Sequence, residues 1–365
     1  MSEPRAAKLS EFDDVIDHIN NVFRIKRGHA PTMQQEFPLL LSRENIDNII
    51  VIKEEGKIVS AVNFLIQEIL VEGVVLKSAS IGAVCTDPDY ERKGYSSKIL
   101  DHVEKQLYAK GVDILLISGN RTLYTRRMAT EVKCFYRYDI IPKDIGLQLS
   151  INDYNDKYLY EMLKRYNQNS TRFYRTKENF EILLESATIP WGNYSYKKLI
   201  VKKNGEFIGY IVLRIIDEEE SWGQIIELSM PNKYVYDLLS HMAKEYSLKY
   251  IRYYVHVKDH INQLEEYDER KLDYLRGTVK VINFEQMMKK LHKYISQYID
   301  GNIPHELICV EEDGIYKINY KENELNIHSL DDLNRLLFEH ANKENEILDA
   351  LFPLNFIWPA NLNFQ

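Results

Sequence analysis

The chain has few cysteines and no long apolar segment. Only Cys85, Cys134 and Cys309 occur in 365 residues. They lie far apart and without the spacing of metal ligands, which favours a reducing compartment and gives neither a disulfide framework nor a zinc site. The first residues lack the apolar core of a secretory signal, and no apolar run approaches the roughly 18 residues that a membrane span needs. We therefore expect a cytoplasmic protein.

An excess of basic residues is also missing. The formal net charge is −8, whereas proteins that follow nucleic-acid phosphates or anionic membranes need a positive surface. We therefore expect neither nucleic acid nor membrane as a partner, and a cationic or amine-bearing substrate fits the charge better. The ten histidines form no metal-binding motif such as HExxH, so we expect no metal cofactor.

The order of elements in the first part of the chain indicates an α/β layout. An amphipathic helix begins near Phe12, two strands surround a turn at Glu55-Gly56, and a strand at 79–86 precedes a helix and a buried strand at 112–118. The strand-helix-strand unit is expected to be parallel. Ligands of such units bind where the strand ends and the helix begins.

The later chain repeats this order. Gly205 lies in a charged turn like that of Gly56, and Pro231 follows a strand as Pro88 does. The second copy has neither the glycine nor the paired basic residues that follow Pro88, so we predict a domain duplication in which one copy retained a ligand site. From about Gly277 a helix, three short strands and further helices predict a small α+β domain.

The stretch TDPDYERKGYSSKIL, from Thr86 to Leu100, carries the predicted site. A strand end, a glycine loop and a helix start offer unpaired backbone N–H groups and the positive end of a helix dipole. Such a loop binds phosphate. Gly94 permits close approach, Ser96 and Ser97 add hydroxyl groups, and Arg92 and Lys93 add positive charge. The sequences GxxxxGK[ST] and GxGxxG are absent, which excludes the nucleotide loops that they mark.

This stretch resembles motif A of the GNAT superfamily of acyl-CoA transferases. The pattern of that motif is a strand, a proline and then [R/Q]-x-x-G-x-[G/A] at a helix start, and SGNRTLYTRRMAT, residues 118–130, resembles its second half. The resemblance implies that acetyl-CoA is the co-substrate and that Tyr124 is the general acid. The cofactor-binding positions that it implies are Val84, Cys85, Thr86, Arg92, Lys93, Gly94, Tyr95, Ser96, Ser97, Gly119 and Asn120.

The order of domains is similar to that of the enhanced intracellular survival acetyltransferases. This resemblance implies a catalytic GNAT domain at 1–145, a degenerate GNAT-like domain at 146–275 and a sterol-carrier-protein-like α+β domain at 276–365. It also implies a homo-oligomer, a hexamer, and N-acetylation of a primary amine such as an aminoglycoside or a lysine side chain. The acceptor is thus a small molecule or a peptide.

The base that deprotonates the amine has three candidates. In the family the chain's own terminal carboxylate takes this role, which implies Gln365, although the family pattern ends on an aromatic residue. Glu68 and His29 are the alternatives, and His29 lies in a loop expected to cover the acceptor site. Cys85 also invites interpretation as a nucleophile, but its position on a buried strand favours a core role.

Several positions depart from the family pattern. Glu91 replaces Arg or Gln, Ser96 replaces Gly or Ala, and Met128-Ala129 replaces the usual Gly-Phe. A negative charge at Glu91 weakens pyrophosphate binding by repulsion. The alternative hypothesis is therefore an acyl-CoA-binding or regulatory scaffold that has lost transferase activity.

Overall fold

The computed structural model describes residues 3–259, 261, 264, 270–297, 307–320, 323–341 and 346–364. The strands in chain order are β1 Arg5–Ala6, β2 Ile49–Glu54, β3 Lys57–Val71, β4 Val74–Thr86, β5 Ile114–Ile117, β6 Lys133–Ile140, β7 Ser150–Asp153, β8 Arg172–Phe173, β9 Tyr194–Lys203, β10 Glu206–Ile216, β11 Trp222–Ser229, β12 Ile251–His256, β13 Lys271–Tyr274, β14 Thr278–Val281, β15 Leu307–Glu312, β16 Ile315–Tyr320 and β17 Asn323–Ile327. The helices are α1 Phe12–Phe23, α2 Met33–Glu36, α3 Tyr95–Ala109, α4 Thr122–Thr125, α5 Leu159–Tyr166, α6 Lys177–Ser186, α7 Val235–Glu245, α8 Phe284–Ile295, α9 Leu330–Phe338 and α10 Glu346–Leu351.

The first sheet has the order β1-β2-β3-β4-β5-β14, with β8 beside β3. Strands β4 and β5 are parallel and joined through α3, and the helix packs Ile99, Val103 and Leu107 onto the sheet. The predicted hairpin, crossover helix and parallel pair are confirmed. Strand β4 begins at Val74 rather than at residue 79, because Val74 and Leu76 are buried against the third part of the chain.

The second sheet repeats this arrangement in the order β13-β6-β12-β11-β10-β9-β7. Hairpin β9-β10 precedes β11, and β11 is parallel to β12 through α7. The repeated order predicted from sequence is therefore present in the fold.

The two sheets exchange strands. Strand β6 follows α4 in the chain, yet it pairs with β12 and β13 of the second sheet. Strand β14 follows the second sheet in the chain, yet it pairs with β5 of the first. Sheet membership thus crosses the predicted domain bounds at 145/146 and 275/276, which stay predictions.

The last part of the chain forms a three-stranded antiparallel sheet, β15-β16-β17, with α8 to α10 around it. Its core is continuous with the outer face of the first sheet, since Leu116 and Val279 share a cluster with Met288 and Leu337. The three strands were predicted, whereas the end of the predicted helix at 282–299 lies outside the described residues. No helix in the described part of the chain is long and apolar enough to span a membrane.

Candidate active site

The site is a gap between β4 and β5 in the first sheet. The two strands pair only from Ser78 with Ile114 to Ile81 with Ile117, where β5 ends. Strand β4 continues to Thr86. The edge of β4 beyond Ile81 is therefore open toward α3 and α4, which is the position predicted for the ligand.

A bulge in β4 lies beside this gap. Ala61 pairs with Cys85 and Asn63 with Gly82, so that Ala83 and Val84 oppose one residue of β3. Ala83 has a φ of 50°, a left-handed conformation that is strained for alanine. The buried Asn63 side chain holds the bulge, because its Nδ2 donates to the Ala83 carbonyl at 2.9 Å. A bulge re-aims backbone groups of the strand, and here it does so at the gap.

The loop before α3 presents free backbone donors. Gly94 caps the helix with a φ of 78° and Arg92 has a φ of 62°. Among the described residues, the N–H groups from Arg92 to Ser97 have no acceptor, and the next amide, that of Lys98, donates to the Gly94 carbonyl at 3.0 Å. These donors and the helix dipole fit an anionic phosphate group.

The loop side chains have different partners. Thr86 and Ser96 hydroxyl oxygens lie 2.7 Å apart, and the Ser60 hydroxyl is 2.9 Å from that of Thr86. This chain of hydroxyls ties β3, β4 and α3 together. Tyr95 is buried and donates its hydroxyl to Glu54 at 2.9 Å. The predicted binding roles of Tyr95 and Ser96 therefore rest on their backbone N–H groups.

Exposed basic side chains surround the loop. Arg92 and Lys93 are exposed and have no carboxylate partner in the described part of the chain, and Lys93 Nζ lies 4.4 Å from the centre of the Tyr90 ring. Glu91 is exposed beside them. The loop thus combines two uncompensated cations with one carboxylate.

Tyr124 lies at the end of β5, on α4. Its side chain is 6% exposed, and its hydroxyl has no hydrogen-bond partner among the described residues. Burial raises the pKa of Tyr124 and the nearby Cys85 adds to the rise, while Arg121 lowers it. A Cβ on Gly119 would lie 3.3 Å from Tyr124 Cε2, so the ring rests directly on Gly119. The phenol is protonated at neutral pH and available as an acid.

Two other predicted positions have clear surroundings. Cys85 is buried, and this burial raises the pKa of its thiol to about 12, which agrees with a core role because the thiol stays protonated. Asn120 is exposed and donates to Glu131 at 2.8 Å. No group of three His, Cys, Asp or Glu residues in the described ranges could hold a metal ion.

The end of the chain reaches the gap. Asn363 and Phe364 line a small cavity together with Ile81 of β4 and Ile117 of β5. Asn363 Oδ1 accepts a hydrogen bond from Arg175 Nε at 2.6 Å. Gln365, the predicted base, lies outside the described residues, so its role stays a prediction.

A larger cavity of about 390 Å³ adjoins this point, and we call it the inter-sheet cavity. Arg276 and Phe364 line both spaces. One wall of the inter-sheet cavity is the face of the second sheet, with Tyr196, Arg214, Gln224 and Arg252. The opposite wall is formed by the chain end and by Glu36 and Phe37 at the end of α2.

The alternative bases lie in different places. His29 is exposed and its ring centre is 5.2 Å from that of Trp191, which lines the inter-sheet cavity. Glu68 is exposed near the end of β3, and its carbonyl accepts from the Tyr174 amide at 2.9 Å. His29 thus lies beside the cavity, and its role as the base stays a prediction.

Comparison with known proteins identifies the first domain. Residues 3–131 match the family model of the acetyltransferase (GNAT) domain. The chain carries a GNAT acetyltransferase domain. The predicted superfamily and enzyme class, an acyl or acetyl transferase, are confirmed. A search of curated proteins found no match.

Solved structures share the fold over the whole chain. A GCN5-related N-acetyltransferase from Anabaena variabilis ATCC 29413 has a TM-score of 0.65 at 14% identity and covers 99% of this chain and 98% of its own. Eis1 from Mycobacterium abscessus has a TM-score of 0.63 at 12% identity, with 99% and 100% covered. A GCN5-related N-acetyltransferase from Kribbella flavida has a TM-score of 0.64 at 13% sequence identity, with 98% of each chain covered. At these identities the likeness shows the fold alone.

Sequence reasoning missed several residues of the site. Asn63 holds the bulge and Arg175 holds the chain end, but both lie far in sequence from the motif that they support. Arg214 and the tryptophans of the inter-sheet cavity carry no motif either. The one signal in the sequence was the predicted second copy of the domain. It lacks the ligand motif, so its sheet was free to serve another purpose, such as forming the wall of a cavity.

Proposed function

We propose that the protein transfers an acetyl group from acetyl-CoA to a primary amine by direct attack on the thioester. The observation that carries the proposal is Tyr124, a buried phenol without a hydrogen-bond partner among the described residues, beside the open edge of β4. The unpaired N–H groups from Arg92 to Ser97 fit the pyrophosphate of the co-substrate, which supplies the thioester whose C–S bond breaks.

Each group of the site has one role in the proposed reaction. Backbone N–H groups at the β4 bulge polarise the thioester carbonyl, a contribution of about 3 kcal/mol per donor in comparable sites. The amine nitrogen bonds to the carbonyl carbon, and Tyr124 gives its proton to the leaving sulfur. The ammonium proton goes to a base, for which we propose the terminal carboxylate of Gln365. Asn363 and Phe364, the two residues before it, line the small cavity at the gap.

Calorimetry tests the first half of this proposal. Acetyl-CoA is titrated into the parent protein and into Gly94→Trp, whose bulk occupies the loop. We expect micromolar binding that the variant loses. No binding by the parent protein would mean that Glu91 has disabled the loop.

Replacing Tyr124 with Phe tests the second half, with the exposed Tyr160→Phe as its control. An enzyme loses kcat about 100-fold or more, the usual effect of removing a general acid, and keeps its affinity for acetyl-CoA. The alternative, an acyl-CoA-binding or regulatory scaffold, is favoured by the uncompensated Glu91 carboxylate. It predicts acetyl-CoA binding with no transfer by the parent protein to any amine.

Further features of the resemblance remain part of the proposal. These are the domain bounds 1–145, 146–275 and 276–365, a sterol-carrier-protein-like third domain, a hexamer and a cytoplasmic location. The three-stranded sheet with surrounding helices is compatible with the proposed α+β domain. Polycationic acceptors, predicted from the overall negative charge, find less support, because the lining of the inter-sheet cavity is positive.

A further inference from the structure

The inter-sheet cavity is strongly aromatic. The chain has three tryptophans, and all three, Trp191, Trp222 and Trp358, line this cavity. Trp358 stacks on Tyr254, with ring centres 4.0 Å apart and planes at 12°. Flat aromatic walls favour a planar or apolar ligand body.

The cavity also holds an arginine without a carboxylate partner. Arg214 lies on β10, its Nη2 donates to Gln224 at 2.5 Å, and its guanidinium is 4.9 Å from the centre of the Tyr194 ring. Its Nε atom is buried without a hydrogen-bond acceptor. Within the described ranges, no Asp or Glu forms an ion pair with it. A half-buried guanidinium whose Nε is buried without an acceptor is a site for an anion.

The other charges of the lining do not neutralise Arg214. Arg252 pairs with Asp139 at 2.7 and 3.0 Å, and Glu36 pairs with Arg24 at 3.0 and 2.6 Å. Within each of these two ion pairs the opposite charges neutralise each other. Arg276 is exposed on the lining and has no ion pair among the described residues. The cavity therefore carries a net positive charge, although the chain as a whole is negative.

The strand register shows which residues of the second sheet lie beside Arg214. Arg214 is opposite Tyr196 and Gln224, in a row across the sheet. Ile226, two residues further along β11 from Gln224, belongs to the same core cluster as Leu362 near the chain end. Two residues of strand span about 7 Å, so the row of Arg214 and the row of Ile226 lie about this far apart.

We propose that the acceptor is a primary amine that carries a carboxylate on a planar, largely apolar body, and that Arg214 binds this carboxylate. The inference rests on the proposed function, which places the amine at the gap. The exposed acidic run Asp217 to Glu220 lies outside, where Glu218 accepts from Trp222 Nε1 at 3.3 Å. None of these four residues lines the cavity.

Tryptophan fluorescence reports on ligand binding in this cavity, because all three tryptophans line it. The probes are 4-(aminomethyl)benzoate, the matched 4-(aminomethyl)benzamide and the polycation spermidine. We expect the benzoate to bind about tenfold tighter than the benzamide, equivalent to about 1.4 kcal/mol, and spermidine to bind weakest. Equal binding of benzoate and benzamide, or tighter binding of spermidine, overturns the inference.

Variants assign the preference to Arg214. Arg214→Gln should remove it, and Arg214→Lys should keep part of it. Lys197→Gln is the matched control, since Lys197 is exposed on the neighbouring strand and packs on Tyr246, away from the cavity. A benzoate preference that persists in Arg214→Gln refutes the role of Arg214. Denaturant unfolding of each variant shows whether it is folded.

Failure of the inference differs from failure of the proposed function. If the parent protein acetylates the benzamide as well as the benzoate, transfer is real and the carboxylate preference is wrong. If the benzoate binds selectively and no probe is acetylated, the cavity assignment stands and the transferase proposal fails.

Discussion

Replacing Asn363 with Ala tests whether the end of the chain is fixed by a buried ion pair. The Arg175 side chain is fully buried and forms three hydrogen bonds, to Asn363 Oδ1 at 2.6 Å and to the two Glu227 oxygens at 2.9 and 2.7 Å. Tyr210 also donates to Glu227 at 2.7 Å. The substitution leaves the Arg175–Glu227 ion pair intact and removes the acceptor for Arg175 Nε.

The expected loss has two parts. A buried hydrogen bond to a charged group contributes about 1.5–3 kcal/mol, and the orphaned Nε adds to the cost because water cannot reach it. The free energy of unfolding should therefore fall by about 2–3 kcal/mol. If the chain end carries the base, kcat should fall by a larger factor than the affinity for acetyl-CoA.

The assay combines denaturant unfolding with steady-state acetylation. Asn326→Ala is the control, since Asn326 is exposed on β17. A variant as stable as the parent would show that the Arg175 contact contributes nothing. A destabilised variant with unchanged kcat would separate the anchor from the chemistry and leave the terminal carboxylate without a role.

Three further substitutions probe the loop, the acid and the pH response. Gly94→Ala adds a Cβ that meets no atom within 4 Å, but at a φ of 78°, so a backbone penalty of about 1–2 kcal/mol should weaken acetyl-CoA binding in calorimetry. Gly119→Ala places a Cβ 3.3 Å from Tyr124 Cε2 and should lower kcat in steady-state acetylation. Burial lowers the pKa of His18 from 6.5 to about 4, so the unfolded chain binds its proton more tightly and stability falls as the pH drops from about 6.5 to 4. His18→Gln should flatten that part of the curve of unfolding free energy against pH.

The sequence was sufficient where the signal is local. The hairpin turn at Glu55-Gly56, helix α3 and the parallel β4-β5 pair follow from periodicity and turn residues, and the loop sequence singled out Gly94, which has a positive φ in the structure. The length of β4 was underestimated, because Val74 is buried by residues more than 200 positions later in the chain. Contacts of that range leave no trace in local pattern. The same reason hid Asn63, whose role is to hold a bulge on another strand.

The exchange of β6 and β14 between the sheets explains why domain bounds are harder to predict from the sequence than the strands and helices are. Periodicity identifies a strand but not the sheet that it joins: β6 follows elements of the first sheet and pairs in the second, and β14 follows strands of the second sheet and pairs in the first. A cut at 145/146 would leave the first sheet without β14 and the second without β6. Each sheet would then expose an edge next to a crossover strand. The exchange therefore makes the two units mutually dependent and fixes the wall of the inter-sheet cavity relative to the β4-β5 gap. The proposed transfer requires this fixed relation, since the distance between the two spaces would decide which amine reaches the thioester.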